Sequence, residues 1–342
     1  MKKRNSNIKQ HYIPQCYLRN FTDKNDFLHV YNYKSIKYFK VKPSKVSWGR
    51  YFHDVNVDLF NRILETENAY DEIVDDKIRL VHEKVISRTI TQIRHKLSNI
   101  QSGIFLNKEE RANLVDFVMI QYIRTPEYRN GIDYLPINFV RYYFDDIHNI
   151  EIKDSEYLPT IHNLIIYGLL YFLNNEYPKI SNNYDLFFGH LFDEYSVMME
   201  QLDKGFIRFF VNKTNIPFIT TTNPINVEFN PNTYSRSKAL VVPKNKSDRV
   251  FDMGSHSEIF RVFVPLSSNI GIMFFDEEFA RSLEIEDNKI QVINDEDKDI
   301  IINLNLSMAS KCEGTLYSEN NEYKKLQELI DAKSYVNIKL FR

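Results

Sequence analysis

Cysteine is almost missing from this chain. Two residues, Cys16 and Cys312, stand far apart among 342 and do not resemble a disulfide framework. A reducing, cytoplasmic setting is the expectation. Glycine is scarce at 9 residues and proline stands at 11. That argues against glycine-rich phosphate loops, and neither a dinucleotide fingerprint nor a Walker-type loop occurs. Charge of one sign is not in excess: 44 Lys and Arg against 46 Asp and Glu give a formal net charge of −2. Any contact with nucleic acid must therefore come from a local patch. Long apolar runs are missing as well. The most apolar stretch, 164–173, is about half the ~20 residues a membrane span needs, and reads as a buried helix. No membrane partner is expected. The opening Met1-Lys2-Lys3-Arg4-Asn5-Ser6 is charged, but no apolar segment follows it, so it does not read as a signal peptide.

What is present is material for a core: 43% hydrophobic and 14% aromatic residues. The segments 27–31 and 37–41 are aromatic and branched around a polar turn, and read as strands. From 57 to 98 the apolar spacing is helical. Another helix is expected after Asn107, with a stripe through Leu114, Phe117, Val118, Gln121, Tyr122 and Thr125 and an end at Pro126. Further helices are expected near 128–147, 159–174 and 184–203. Beyond Gly205 the pattern changes. A strand pair is expected at 206–211 and 217–221, a long surface loop at 229–258, and a second pair at 259–264 and 270–275 around a 265–269 turn. A helix capped by Asn294, a short helix near 320–331 and a strand near 334–340 complete the reading. The expected fold class is α+β, with a helical middle layer on antiparallel strands from the N-terminal and C-terminal segments. One domain over 1–342 is expected, mainly helical at 57–204 and mixed at 205–342.

The run His11-Tyr12-Ile13-Pro14-Gln15-Cys16-Tyr17-Leu18-Arg19-Asn20-Phe21 carries the densest signal. Pro14 suits a first helical turn. Tyr17, Leu18 and Phe21 then share one face, while Gln15 and Arg19 share another. His11 stands just ahead of the helix, near its open amides, so histidine, glutamine and arginine together suit an anion. The same groups also suit an N-terminal hook bonded to neighbouring backbone. Gln121 lies on a core stripe and needs buried partners, with Arg124 one turn later. Both fit a polar pocket, or bonds that tie the helices to the sheet. Thr220-Thr221-Thr222-Asn223-Pro224 ends a strand and could line a pocket or cap a turn. Lys34, Lys37, Lys40, Lys42 and Lys45 alternate with Tyr33, Tyr38, Phe39 and Trp48. That pattern suits single-stranded nucleic acid, and equally a strand edge guarded by lysines. His190 and Glu194 have a metal-like spacing but no third ligand, and the Asp145, Asp146 and His148 group has the same weakness. No metal, cofactor or catalytic triad is expected.

Four runs together resemble the family known as domain of unknown function 4238. They are His11-Tyr12-Ile13-Pro14-Gln15 with Tyr17-Leu18 and Phe21, then Gln121-Tyr122-Ile123-Arg124-Thr125-Pro126, Phe218-Ile219-Thr220-Thr221-Thr222-Asn223-Pro224, and Pro265-Leu266-Ser267. Asn305 also matches a recurrent asparagine. The resemblance spans about 9–318. It implies a fold and a set of polar positions, but no established reaction. One departure stands out: the family pattern carries Asp where this chain has Thr222. A capping Asp is replaceable by Thr, whereas a catalytic or metal carboxylate is not.

These readings converge on two function classes. One is a protein with an anion- or phosphate-binding site, directed at a nucleotide or nucleic acid as a hydrolase. His11 is its acid/base candidate, with Gln15, Arg19, Gln121, Arg124, Thr220 and Asn223 holding the ligand. The other is a non-enzymatic sensor or protein-interaction subunit in bacterial anti-phage defence, in which the same residues are structural.

Overall fold

The structure, a computed structural model, describes residues 9–32, 34–50, 76–98, 106–131, 162, 163, 166, 198–234, 239–242, 249–252, 257–312 and 314–321. The architecture is α+β, and strands from the two ends of the sequence do share a sheet. Strand β1 (Lys9–His11) pairs antiparallel with β4 (Trp48–Arg50), with His11 opposite Trp48. Between them come α1 (Gln15–Leu18), prolonged by a 3-10 turn over Arg19–Phe21, and the hairpin β2 (Leu28–Asn32) and β3 (Lys37–Val41). Pro14 caps α1, and Tyr17, Leu18 and Phe21 form its buried face. The hairpin turn is held by Asn32 Oδ1, which accepts from the Ser35 N–H and hydroxyl at 2.9 Å each. Strand β13 (Thr315–Ser318) pairs antiparallel with β2 on one side and with β6 (Thr220–Thr221) on the other.

The larger sheet has five strands in the order β12-β5-β11-β10-β7. These are β5 (Phe206–Asn212), β7 (Asn226–Tyr234), β10 (Ser257–Ser267), β11 (Ile270–Phe275) and β12 (Lys289–Ile293). All its pairs are antiparallel except β5 with β12. A separate hairpin joins β8 (Ala239–Val242) to β9 (Arg249–Asp252).

The helices are α2 (Asp76–Ser98), α3 (Lys108–Ile123), α4 (Pro126–Gly131), α5 (Glu277–Ser282) and α6 (Lys298–Ser310). Asn107 and Glu110 form a reciprocal capping box at the start of α3, which satisfies two end donors at once. Pro126 does more than end that helix: it opens α4. The Thr125 hydroxyl accepts from the Tyr128 N–H at 3.1 Å, the usual role of a threonine cap. Helix α6 is the wedge between the two larger sheets. Its Ile301, Leu304 and Met308 share one core with Phe210, Phe263, Met273 and Phe275 of the five-stranded sheet and with Tyr31 and Leu316 of the other. Asn305 is buried on the same helix. Its amide donates to Pro217 O at 2.9 Å, and its oxygen accepts from the Ile219 N–H at 3.0 Å.

Several expectations need correction. The segments 206–211 and 217–221 do not pair: β5 lies between β11 and β12, while β6 joins β13. Local turn chemistry cannot reveal partners so distant in sequence. The 229–258 stretch is not one loop, since it holds β8, β9 and parts of β7 and β10. Its many Asn, Ser and Lys residues hid strands that make long ribbons. Pro265 and Leu266 belong to β10, at a register shift where a proline is tolerated, rather than to a turn. Asn294 precedes a 3-10 turn and makes no side-chain cap bond. The expected helices near 128–147, 159–174 and 184–203 fall largely outside the described residues. So do the short helix and strand after 321, residues 57–75, and the His190–Glu194 and Asp145–His148 groups.

Candidate functional site

Three separated runs meet around the N-terminal hook. Arg124, the C-cap of α3, is only 6% exposed and donates to His11 O at 2.9 Å. Gln121, fully buried one turn earlier, donates to Tyr12 O at 3.3 Å. The Tyr12 N–H bonds to Ser47 O at 3.0 Å, which fixes the hook against the segment leading into β4. The second run enters through Tyr17. Its buried hydroxyl donates to Pro265 O at 2.6 Å and lies 3.1 Å from the Thr220 hydroxyl. The third run closes the ring: the Thr222 hydroxyl donates to the Glu127 carboxylate in the first turn of α4.

The His11 ring is half-buried. Its Nε2 lies 3.1 Å from the Gln15 amide nitrogen. Gln121 Oε1 and Asn223 Oδ1 are buried acceptors without a hydrogen-bond partner among the described residues. A donor from a ligand or a water would satisfy each. Asn223 is otherwise held in a turn by Thr221, whose hydroxyl accepts from its N–H at 3.0 Å and donates to its carbonyl at 2.6 Å. The Thr221 bonds are therefore those of a turn, and Thr220 is committed to Tyr17.

A polar cluster lies beneath α4. Arg129 donates from Nε to His162 Nδ1 at 2.9 Å and from a terminal nitrogen to Asn163 Oδ1 at 3.1 Å. His162 Nε2 in turn donates to Ile123 O at 2.7 Å. Burial pulls the Arg129 guanidinium down to about 10. Burial first, and the Arg129 charge second, hold His162 down at about 3, so it is neutral near pH 7. Burial also pushes the hydroxyls of Tyr17 and Tyr317 far above the usual tyrosine value. The Tyr317 hydroxyl accepts from Ser47 at 2.9 Å, and its ionised form is further opposed by Glu127. Both phenols act as neutral hydrogen-bonding groups.

The structure thus brings His11, Gln15, Gln121, Arg124, Thr220 and Asn223 into one neighbourhood. Arg19 does not join it. It lies exposed on the outer face of the 3-10 turn. The helix ahead of which His11 stands is a single turn, and His11 itself belongs to a strand, so a helix dipole is not what the site offers. Lys34, Lys37, Lys40, Lys42 and Lys45 form a separate exposed group on and beside β3. Among the described residues, no group of three or more His, Cys, Asp or Glu side chains is placed to hold a metal ion.

The family described as "Protein of unknown function" (DUF4238) matches residues 9–322. The chain belongs to that family. No curated protein and no solved structure matches it. The DUF4238 region contains every run that meets at the hook, from β1 through β13. Within it, sequence reasoning missed Glu127, Arg129, His162 and Asn163. A threonine cap followed by Pro126 signals a new helix start, which would have drawn attention to Glu127 and Arg129. His162 and Asn163 carry no local signal. In this DUF4238 member, position 222 faces Glu127. An Asp there would set two carboxyls against each other, whereas Thr222 makes a hydrogen bond. Among the described residues no helix is long and apolar enough to cross a membrane.

Proposed function

We propose that the protein binds a phosphate-bearing ligand, a nucleotide or a nucleic-acid end, beside His11 and hydrolyses it. The observation that carries this reading is the helix junction. Arg124 and Arg129, six residues end to end, bring two guanidinium groups to one helix junction, where they donate to His11 O, His162 and Asn163. Two guanidinium groups so close together offer forked donors suited to the oxygens of a phosphate. His11 supplies the acid/base group, and Arg124 neutralises charge on the phosphate. Gln121 Oε1 and Asn223 Oδ1 are acceptors for the sugar or base of such a ligand.

The test pairs thermal shift with hydrolysis, using ATP, GTP and inorganic phosphate. A bound ligand raises the melting temperature with concentration by mass action. His11→Ala should abolish hydrolysis while leaving the melting temperature of the unliganded protein nearly unchanged. A well-folded His11→Ala protein with full activity ends the catalytic assignment.

A second reading, a sensor or protein-interaction subunit, draws on one specific observation. Gln121 and Arg124 direct donors to the Tyr12 and His11 carbonyls, so both act as anchors of the hook. Under that reading Arg124→Ala lowers the melting temperature, and none of the three probes raises it.

A further inference from the structure

The β2–β3 hairpin has no part in the site around His11, yet its surface is the most unusual in the described molecule. From Phe27 to His53 the sequence carries the cations Lys34, Lys37, Lys40, Lys42, Lys45 and Arg50 and no Asp or Glu, in a chain whose net charge is −2. β3 is the edge strand of its sheet, and every residue from Lys37 to Lys40 is exposed. Large apolar side chains are exposed there too: Ile36 at 78%, Tyr38 at 40% and Phe39 at 45%. Ile36 adopts φ +53 at the hairpin tip, a conformation that a β-branched side chain disfavours and that no packing rewards here.

The lysines are unequally engaged. Lys40 lies 3.5 Å from Asp23, and Lys42 donates to Asn25 O while sitting over the Phe27 ring. The ammonium groups of Lys34, Lys37 and Lys45 make no hydrogen bond or ion pair among the described residues. Strand geometry puts Lys37 and Phe39 on one face, about 6.8 Å apart along the strand, and Tyr38 and Lys40 on the other. The Tyr38 ring is steadied by its hydroxyl, 2.9 Å from His29 Nδ1.

We infer that this strand and its flanks, with Phe39 as the stacking platform and Lys34, Lys37 and Lys45 on the backbone, bind single-stranded nucleic acid. Uncompensated ammonium groups interleaved with exposed rings match a polyanion that also carries flat apolar faces. An acidic peptide would neutralise the lysines but offers the Phe39 ring no planar partner. The surface stands on different residues from His11, so it does not depend on hydrolysis there.

The test is fluorescence anisotropy of the full chain with a labelled oligothymidylate of roughly 15 nucleotides, a length one such surface spans. With three free lysines as phosphate contacts, log affinity should fall with log salt at a slope of about −2. Lys37→Glu with Lys45→Glu should weaken binding by about tenfold or more and flatten that slope. Phe39→Ala should weaken it by about tenfold with the slope kept, since it removes a stacking face and no charge. All three side chains are exposed, so the melting temperature should hold in both variants. His11→Ala should bind the oligonucleotide normally, which separates this surface from the proposed phosphate site. Absence of binding at low salt overturns the assignment and leaves a lysine-guarded edge. So does binding that charge reversal leaves unchanged, or an acidic peptide such as polyglutamate binding as tightly and resisting Phe39→Ala.

Discussion

Tyr17→Phe removes one oxygen from the centre of the hook, and its consequences follow from four distances. The ring stays, 5.2 Å from Phe21 and 6.0 Å from Phe117 between centroids, so packing is kept. The hydroxyl's bond to Pro265 O at 2.6 Å is lost, and so is the 3.1 Å contact with Thr220. Both partners are buried and then lack water as well as Tyr17. A buried polar group left unmade costs roughly 1–3 kcal/mol, so the substitution should cost about 2–3 kcal/mol. Thr220→Val removes only the weaker contact and should cost about 1 kcal/mol. The double variant should be less destabilised than the sum by about 1 kcal/mol, because the two residues share one bond. Urea unfolding of the four proteins gives the cycle directly. At about 2.1 cal/mol/K of unfolding entropy per residue, 2 kcal/mol corresponds to a drop of about 3 °C for a chain of 342 residues. Strict additivity, or a Tyr17→Phe protein as stable as the parent, would refute the claim that this hydroxyl joins the N-terminal turn to the strand ends.

Two further outcomes concern carboxyl groups. Burial pushes the Asp116 carboxyl on α3 up to about 6. Its folded pKa thus lies above the unfolded value, so its protonated form stabilises the fold at low pH, and that contribution is lost as pH rises from about 4 through 6. Asp116→Asn should therefore stabilise the protein above pH 7, by up to about 3 kcal/mol, with a higher melting temperature there and little change at pH 4. Parallel pH profiles for the two proteins would contradict this. Thr222→Asp should set a second carboxylate against Glu127 and destabilise the protein more at pH 8 than at pH 5, where the pair can share a proton. A difference in melting temperature that does not vary with pH would mean that the new carboxylate and Glu127 do not interact.

The parts of the fold written in short-range pattern were readable in the sequence. The Asn107 cap, the apolar stripe of α3 and the β2–β3 and β10–β11 hairpins each follow from residues within a few positions of one another. The family motifs added Asn305, whose bonds to Pro217 and Ile219 no local pattern specifies. What escaped was pairing at long range. Strand β6 reads as the mate of β5 because a turn lies between them, yet its two residues sit beside β13. The strands within 229–258 escaped for a different reason: short apolar runs such as Ala239–Val242 lie within a stretch whose overall composition is that of a loop. At the candidate site the same division holds. Gln121 announces itself by falling on a core stripe, whereas His162 acquires its role through partners such as Arg129, 33 positions away. Arg19 misled because helical spacing paired it with Gln15, while the helix is one turn long and leaves its side chain in water.

The shared sheet of the two chain ends has a bearing on how the protein is made. The hairpin of β2 and β3 can close as soon as it leaves the ribosome, but the other edge of β2 waits for β13, 283 residues further on. At ordinary translation rates of about 5–20 residues per second, that wait is roughly 15–60 s. Throughout it, Leu28, Val30 and Tyr31, all buried in the finished fold, belong to a strand with an unmatched row of amides and carbonyls. The N-terminal hook is in the same position, since Tyr17 needs Pro265 and Thr220 before its hydroxyl is satisfied. Synthesis of this protein is therefore a period of exposure to edge-to-edge association, and a polypeptide arrested before residue 315 keeps that edge open.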